Sequence, residues 1–197
     1  IMTMTMWIIL GAVVLLGGYV LATYNRFATA RVRIKASIQE IGNQLKRQAD
    51  LITNLEASAK GYLEHEKGIY KQITDARIAV SKAQKSGSVE DAGKAGDLVA
   101  KLIPAMQIAV ESNPEIKGSE VVTQVMNELR DTSDKLMYAR RTLIDLAADY
   151  NTGRVTFPSS LVAGMFGFGE DKGLSTPEGG DFTNVSEEET KTPKVSL

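Results

Sequence analysis

Between residues 34 and 80 apolar side chains recur at alternating steps of four and three. Ile34, Ile38, Ile41, Leu45, Ile52, Leu55, Ala59, Tyr62, Ile69, Ile73, Ala76 and Val80 fill 12 of the 14 positions of that repeat, and Gln48 and Glu66 are the exceptions. A mean spacing of 3.5 draws one apolar stripe along one side of an α-helix, and such a stripe needs a helical partner to cover it. Gly42, Gly61 and Gly68 interrupt the composition but not the spacing; each costs about 1 kcal/mol against Ala. One long helix is therefore predicted from about residue 34 to residue 85.

"KSGSVEDAG" (Lys85–Gly93) ends that helix and opens another, with Ser88 as N-cap and Glu90 and Asp91 in the first turn. The second helix is predicted to reach Ser112 on the apolar positions Val99, Leu102, Ile103, Met106 and Val110, with a kink at Pro104. "SNPEIKGSE" reads as a turn whose Ser119 caps a third helix. There the seam returns: Val122, Val125, Leu129, Thr132, Leu136, Ala139, Leu143, Leu146 and Tyr150. Three helices of this period with short connections predict an antiparallel bundle. An aromatic content of 6% suits such packing better than a β-sandwich.

Upstream of the seam the first 25 residues carry no charge. "MWIILGAVVLLGGYVLA" (Met6–Ala22) is apolar or small throughout, and Met4-Thr5 extends it to bilayer length. Trp7 at one end, with Tyr19 and Tyr24 at the other, fits two interfacial aromatic belts. Val20-Leu21-Ala22 resembles a signal-peptide cleavage site, but no basic region precedes the apolar run, so an uncleaved anchor is expected. The first charges, Arg26, Arg31, Arg33 and Lys35, all precede the first acid, Glu40. This cluster predicts a single pass in a cytoplasmic membrane, with a short outside N-terminus and the bulk of the chain in the cytoplasm. The same cations offer contacts to anionic lipid headgroups. Gly11, Leu15, Gly18 and Ala22 share one face of the anchor, and small residues there let helices approach closely in lipid.

The titratable inventory argues against catalysis. Cysteine is absent, which removes disulfides, thiolate metal sites and cysteine nucleophiles. The single histidine, His65, stands in Glu64-His65-Glu66. A zinc helix needs a second histidine four residues on, where Ile69 stands; a di-metal Glu-x-x-His pair needs an acid at Tyr62. No G-x-S-x-G elbow accompanies the serines, and "GKAGD" (Gly93–Asp97) is too short for a phosphate loop. No catalytic residue, metal or cofactor is expected. With 23 basic against 24 acidic residues, nucleic acid is not an expected partner either.

The third helix gives way to "FPSSLVAGMFGFG" (Phe157–Gly169), in which a two-turn helix is predicted to open at Pro158 or Ser159 and end at Gly167. Its Phe157, Leu161, Val162, Met165, Phe166 and Phe168 are too much apolar surface for an idle loop, so docking is expected on the bundle, a neighbouring subunit or the membrane interface. Beyond it the composition turns to Gly, Ser, Thr, Pro and acid, with seven acidic residues against three basic. In isolation that composition does not fold. The expected division is an anchor at 1–25, a helical bundle at 26–153, an apolar docking segment at 154–169 and an acidic tail at 170–197.

Several of these stretches together resemble the LemA family of bacterial single-pass membrane proteins. They are "YNRF" (Tyr24–Phe27), "QLKRQADLITNL" (Gln44–Leu55), "KGYLEHEK" (Lys60–Lys67), "TDAR" (Thr74–Arg77), "ARR" (Ala139–Arg141), "DYNTGRVTFP" (Asp149–Pro158) and "LVAGMFGF" (Leu161–Phe168). The resemblance runs from the anchor to about Phe168. Thr53 stands where the family usually has Pro, Ile38 where it has Trp, Leu143-Ile144 where it has Tyr-Asn, and Asn113-Pro114 where it has Tyr-Pro. The resemblance implies long antiparallel helices behind a membrane helix, without enzymatic activity. It also implies a membrane-organising role, since relatives are associated with membrane-bound compartments such as magnetosomes.

The expected function is accordingly a non-enzymatic scaffold of the bacterial inner membrane, partnered by the lipid bilayer and by copies of itself. The alternative is a monomeric tethered adaptor, whose partner would be another membrane-associated protein such as a protease or signalling component.

Overall fold

A computed structural model describes residues 2–63, 67–112 and 119–171. Those residues form five helices and no strand: α1 (Met2–Leu63), α2 (Lys67–Ser86), α3 (Val89–Ser112), α4 (Glu120–Val155) and α5 (Ser159–Met165). The fold is all-α. His65 with its two glutamates, Asn113-Pro114 and the tail from 172 onward lie outside the described residues.

The single helix expected over 34–85 is two helices. α1 ends at Leu63, α2 starts at Lys67, and the two pack against each other. Three residues separate two helices that lie side by side, so α2 runs back along α1, and Glu56 on α1 accepts from Tyr70 Oη at 3.1 Å and pairs with Arg77 Nη1 at 3.0 Å. The reason lies in what a seam reports. Both arms of an antiparallel hairpin face one core, so the same apolar repeat serves both, and spacing alone does not mark the reversal. A straight helix from residue 2 to 85 would be about 125 Å long, far beyond what the 36 residues of α4 can cover.

Four helices, not three, therefore make the bundle. α1 neighbours α2 and α4, and α3 neighbours α2 and α4, an up-down-up-down ring. Turn chemistry explains the joints. Gly87 adopts φ +60, a left-handed conformation that side chains with a Cβ rarely take, and its N–H bonds Ala83 O at 3.0 Å. Ser88 Oγ then accepts from Asp91 N at 3.3 Å, and Ser119 Oγ from Val122 N at 3.4 Å, capping α3 and α4 as expected. Lys82 Nζ donates to Asp91 Oδ1 across the α2–α3 joint at 3.0 Å; that bond leads the effects holding the Asp91 carboxyl below its ordinary pKa.

The seams are the core. Ile34, Ile41, Leu45, Ile52 and Leu55 of α1 and Ile73, Ala76 and Val80 of α2 are buried. So are Val122, Val125, Leu129, Leu136, Ala139, Leu143 and Tyr150 of α4. Ile38 is the departure: it occupies a seam position but stays exposed, on the stretch of α1 below the α2–α3 hairpin. At mid-height a polar layer of Gln44, Gln48, Thr132 and Ser133 crosses the core. Gln48 is fully enclosed, and neither its Oε1 nor its Nε2 finds a partner. Unmade buried hydrogen bonds cost about 1–3 kcal/mol, so the layer contributes to register more than to stability. Gln48→Leu is expected to stabilise the bundle by about 1 kcal/mol, which raises Tm by about 2–4 °C in a chain of this size. A thermal melt reading an unchanged or lower Tm would contradict the unmade bonds.

Candidate functional site

The chemistry-bearing and aromatic residues converge at the lower end of the bundle, where α1 leaves its uncharged stretch. Only α1 and α4 reach this level among the bundle helices. Their register is antiparallel and constant: Arg47 Nη2 meets Glu128 Oε2 at 3.3 Å, while Phe27 lies edge-on to Tyr150 with ring centroids 5.6 Å apart. Further down, Gly153 faces Phe27 so closely that a Cβ on it would stand 3.4 Å from the ring. A methyl there would be in ordinary van der Waals contact with the ring, so glycine leaves little room for anything larger.

Two helices cannot bury both their faces, and the segment after α4 supplies the missing layer. The chain turns through a cis Phe157–Pro158 peptide, and Ser159 Oγ donates to Gly153 O at 2.6 Å. α5 follows and closes on Gly167 at φ +67. There Phe168 N bonds Ala163 O at 2.9 Å and Gly167 N bonds Gly164 O at 3.4 Å, the paired bonds of a left-handed C-terminal cap. That cap aims Phe168 into the bundle, with its centroid 5.1 Å from Phe27 and 5.5 Å from Tyr24; Phe166 lies 5.0 Å from Tyr24. The strand-like exit is fastened as well. Tyr150 Oη donates to Gly169 O at 2.9 Å, and Asn151 exchanges two hydrogen bonds with the backbone of Asp171.

The sequence-predicted residues fall into three groups. Arg31 lies over the rings of Phe168 and Tyr150, at 5.2 and 5.9 Å, so one of the four cations is part of the aromatic cluster. Arg26 and Arg33 line a groove of about 370 Å³ with Asn25, Thr29 and Asp149, and Lys35 is exposed just above. On the apolar N-terminal stretch of α1, Gly11, Leu15, Gly18 and Ala22 are uncovered, and a Cβ at Gly11 or Gly18 would meet nothing within 4 Å. In the docking segment Val162 and Phe168 are buried on the bundle, Phe166 is half-exposed against Tyr24, and Phe157, Leu161 and Met165 face outward. The sequence reading missed the union of Tyr24, Phe27, Arg31, Tyr150, Phe166 and Phe168. Its signal was present but scattered over three separate motifs, which only the α1–α4 pairing brings together.

None of this is a catalytic constellation. No group of three or more His, Asp or Glu able to hold a metal occurs among the described residues. One described helix, α1, is long and apolar enough to cross a membrane.

Comparison with curated proteins gives no match. The LemA family model matches residues 37–196. It begins downstream of the "YNRF" motif and continues past Phe168 through the tail, so its limits differ at both ends from those the motifs imply. The family is not known for enzymatic activity. With the seam from Ile38 onward, the α2–α3 hairpin, α4 and α5 itself inside the matched span, this chain belongs to the LemA family.

Proposed function

We propose that the protein is a non-enzymatic, membrane-anchored scaffold that self-associates in the bacterial inner membrane and organises assemblies on its cytoplasmic face. The continuity of α1 carries this reading. One helix of 62 residues, about 93 Å at the usual rise, runs from the apolar stretch to the far end of the bundle without a hinge. A flexible tether would serve a recruiting arm; a rigid post holds its bundle at a set height and orientation. The clamp of α5 on Tyr24, Phe27 and Arg31 stiffens the point where bending would begin. Self-association is supported by the uncovered small-residue face at Gly11, Leu15, Gly18 and Ala22, since close van der Waals packing drives helix pairing in lipid. Arg26, Arg33 and Lys35 are placed to meet headgroups.

The test is the size of the full-length protein after gentle extraction in mild detergent. A discrete species several times the 21.3 kDa chain is expected. Gly11→Leu with Gly18→Leu should break it into smaller species, while the melt of the bundle stays unchanged because neither side chain meets anything within the chain. Monomers of the unmodified protein would instead favour the tethered adaptor, with its acidic tail as docking arm.

A further inference from the structure

We infer that α5 is a second membrane contact: its outward face, with the Phe157 turn, sits in the bilayer interface beside the anchor. The inference rests on the reading that α1 crosses the membrane.

Its first support is level. The α1–α4 register sets Arg47 against Glu128 and Asp131, and Phe27 against Tyr150 and Gly153. Carried one turn further, it brings Val155, the last residue of α4, beside Ala22 and Thr23. The other end of α5 is held by Phe166 against Tyr24 at 5.0 Å. Ser159, which opens α5, bonds Gly153 O at 2.6 Å beside Phe27, so both ends of α5 lie, along the axis of α1, within about one helical turn of the Tyr24–Phe27 level. A bilayer core takes about 20 helical residues, so a span counted from Met4 ends near Thr23. α5 lies at the boundary between hydrocarbon and headgroups.

The second support is composition. From Val155 to Gly169 there is no charged residue. Val155, Phe157, Leu161 and Met165 recur at steps of two and four and all are about two-thirds exposed or more, while Val162 and Ala163 face the bundle. An amphipathic helix with its apolar face outward has no stable place in water. At this height the lipid beside the anchor is already the neighbour, and the outward face continues the apolar surface of α1. The basic residues Arg26 and Arg33 stand one step higher, where the headgroup phosphates would be.

Tryptophan quenching by lipids brominated in the upper acyl chain tests this. Trp7 is the sole tryptophan and reports the anchor. In a Trp7→Phe background, Leu161→Trp and Met165→Trp report the outward face of α5, and Tyr138→Trp reports the exposed side of the bundle. Each full-length variant is reconstituted in phosphatidylcholine vesicles. Quenching of the two α5 reporters comparable to that of native Trp7, and several-fold above that of Tyr138→Trp, is expected. Quenched Trp7 with unquenched α5 reporters overturns the inference and leaves the anchor intact. If Trp7 itself escapes quenching, the anchor reading falls and this one with it. Unquenched α5 reporters whose blue-shifted emission reddens on dilution in lipid would assign the face to a second copy of the chain instead.

Discussion

Leu136→Asp abolishes the cooperative melt of the bundle, whereas Met137→Asp, one residue along the same helix, leaves it nearly unchanged. Leu136 is 1% exposed and meets α3 where Gly96 allows close approach: a Cβ at Gly96 would lie 3.1 Å from Leu136 Cδ2. Aspartate there loses the buried side chain, leaves a cavity and places an unpaired carboxylate in the core. Loss of the side chain alone costs about 2–5 kcal/mol, and the desolvated carboxylate adds to it. Domains have only about 5–15 kcal/mol in total. Met137 is 60% exposed, so its replacement falls within the roughly 0.5 kcal/mol expected of open surface sites. Circular dichroism of the full chain in detergent separates the two, because the apolar N-terminal stretch of α1 keeps its own helicity and only the bundle transition disappears. Similar melts for both variants would mean that Leu136 is not enclosed between α3 and α4.

The same comparison shows what a seam can and cannot convey. Spacing identified Leu136 as core and left Met137 outside, because burial on a helix is a matter of angle around the axis. Residue type marked Ser88 and Ser119 as caps, since the side chain that satisfies the first free N–H groups sits at the helix start itself. Spacing did not place the reversal after Leu63. Direction along the axis leaves no trace in a repeat that both arms share, and Ile38 kept its seam position while losing its partner helix. The foot of the bundle was legible only as fragments. "YNRF", "DYNTGRVTFP" and "LVAGMFGF" each carry aromatic residues without a period. Their common purpose depends on α1 and α4 being antiparallel neighbours, which is a fact of topology. The polar layer lies between these cases: Gln48 was visible as a break in the seam, and only its enclosure shows that it is buried with its amide unpaired.

Phe27 is where those fragments meet, and Phe27→Ala is expected to release the C-terminal segment before the bundle itself opens. The ring is 2% exposed and touches Tyr150, Phe168 and the face of Gly153. Its removal forfeits two aromatic pairs, each worth about 0.5–1.5 kcal/mol beyond burial, and leaves a cavity for a total of about 3–5 kcal/mol. The loss does not spread evenly. α4 stays bound to α1 through Leu129, Leu136 and Leu143, far up the seam. α5 rests on the bundle chiefly through Val162, Ala163 and Phe168, and Phe168 loses the nearer of the two rings it packs against, keeping only Tyr24. Elements with few buried contacts open locally at a free-energy cost below that of global unfolding, so the deficit falls on the clamp. Hydrogen exchange of the full chain in detergent reads this directly. The amides of Gly167 and Phe168, bonded to Gly164 O and Ala163 O, are expected to exchange at least tenfold faster in Phe27→Ala, as a loss of about 1.4 kcal/mol in local stability already gives. Amides in the middle of α4 should keep their protection. Phe157→Ala, at a side chain 76% exposed, should leave both regions as they are. If Phe27→Ala spares Gly167 and Phe168 while the bundle loosens as a whole, then α5 is held by something other than the aromatic cluster, and these rings do not lock the foot of the bundle.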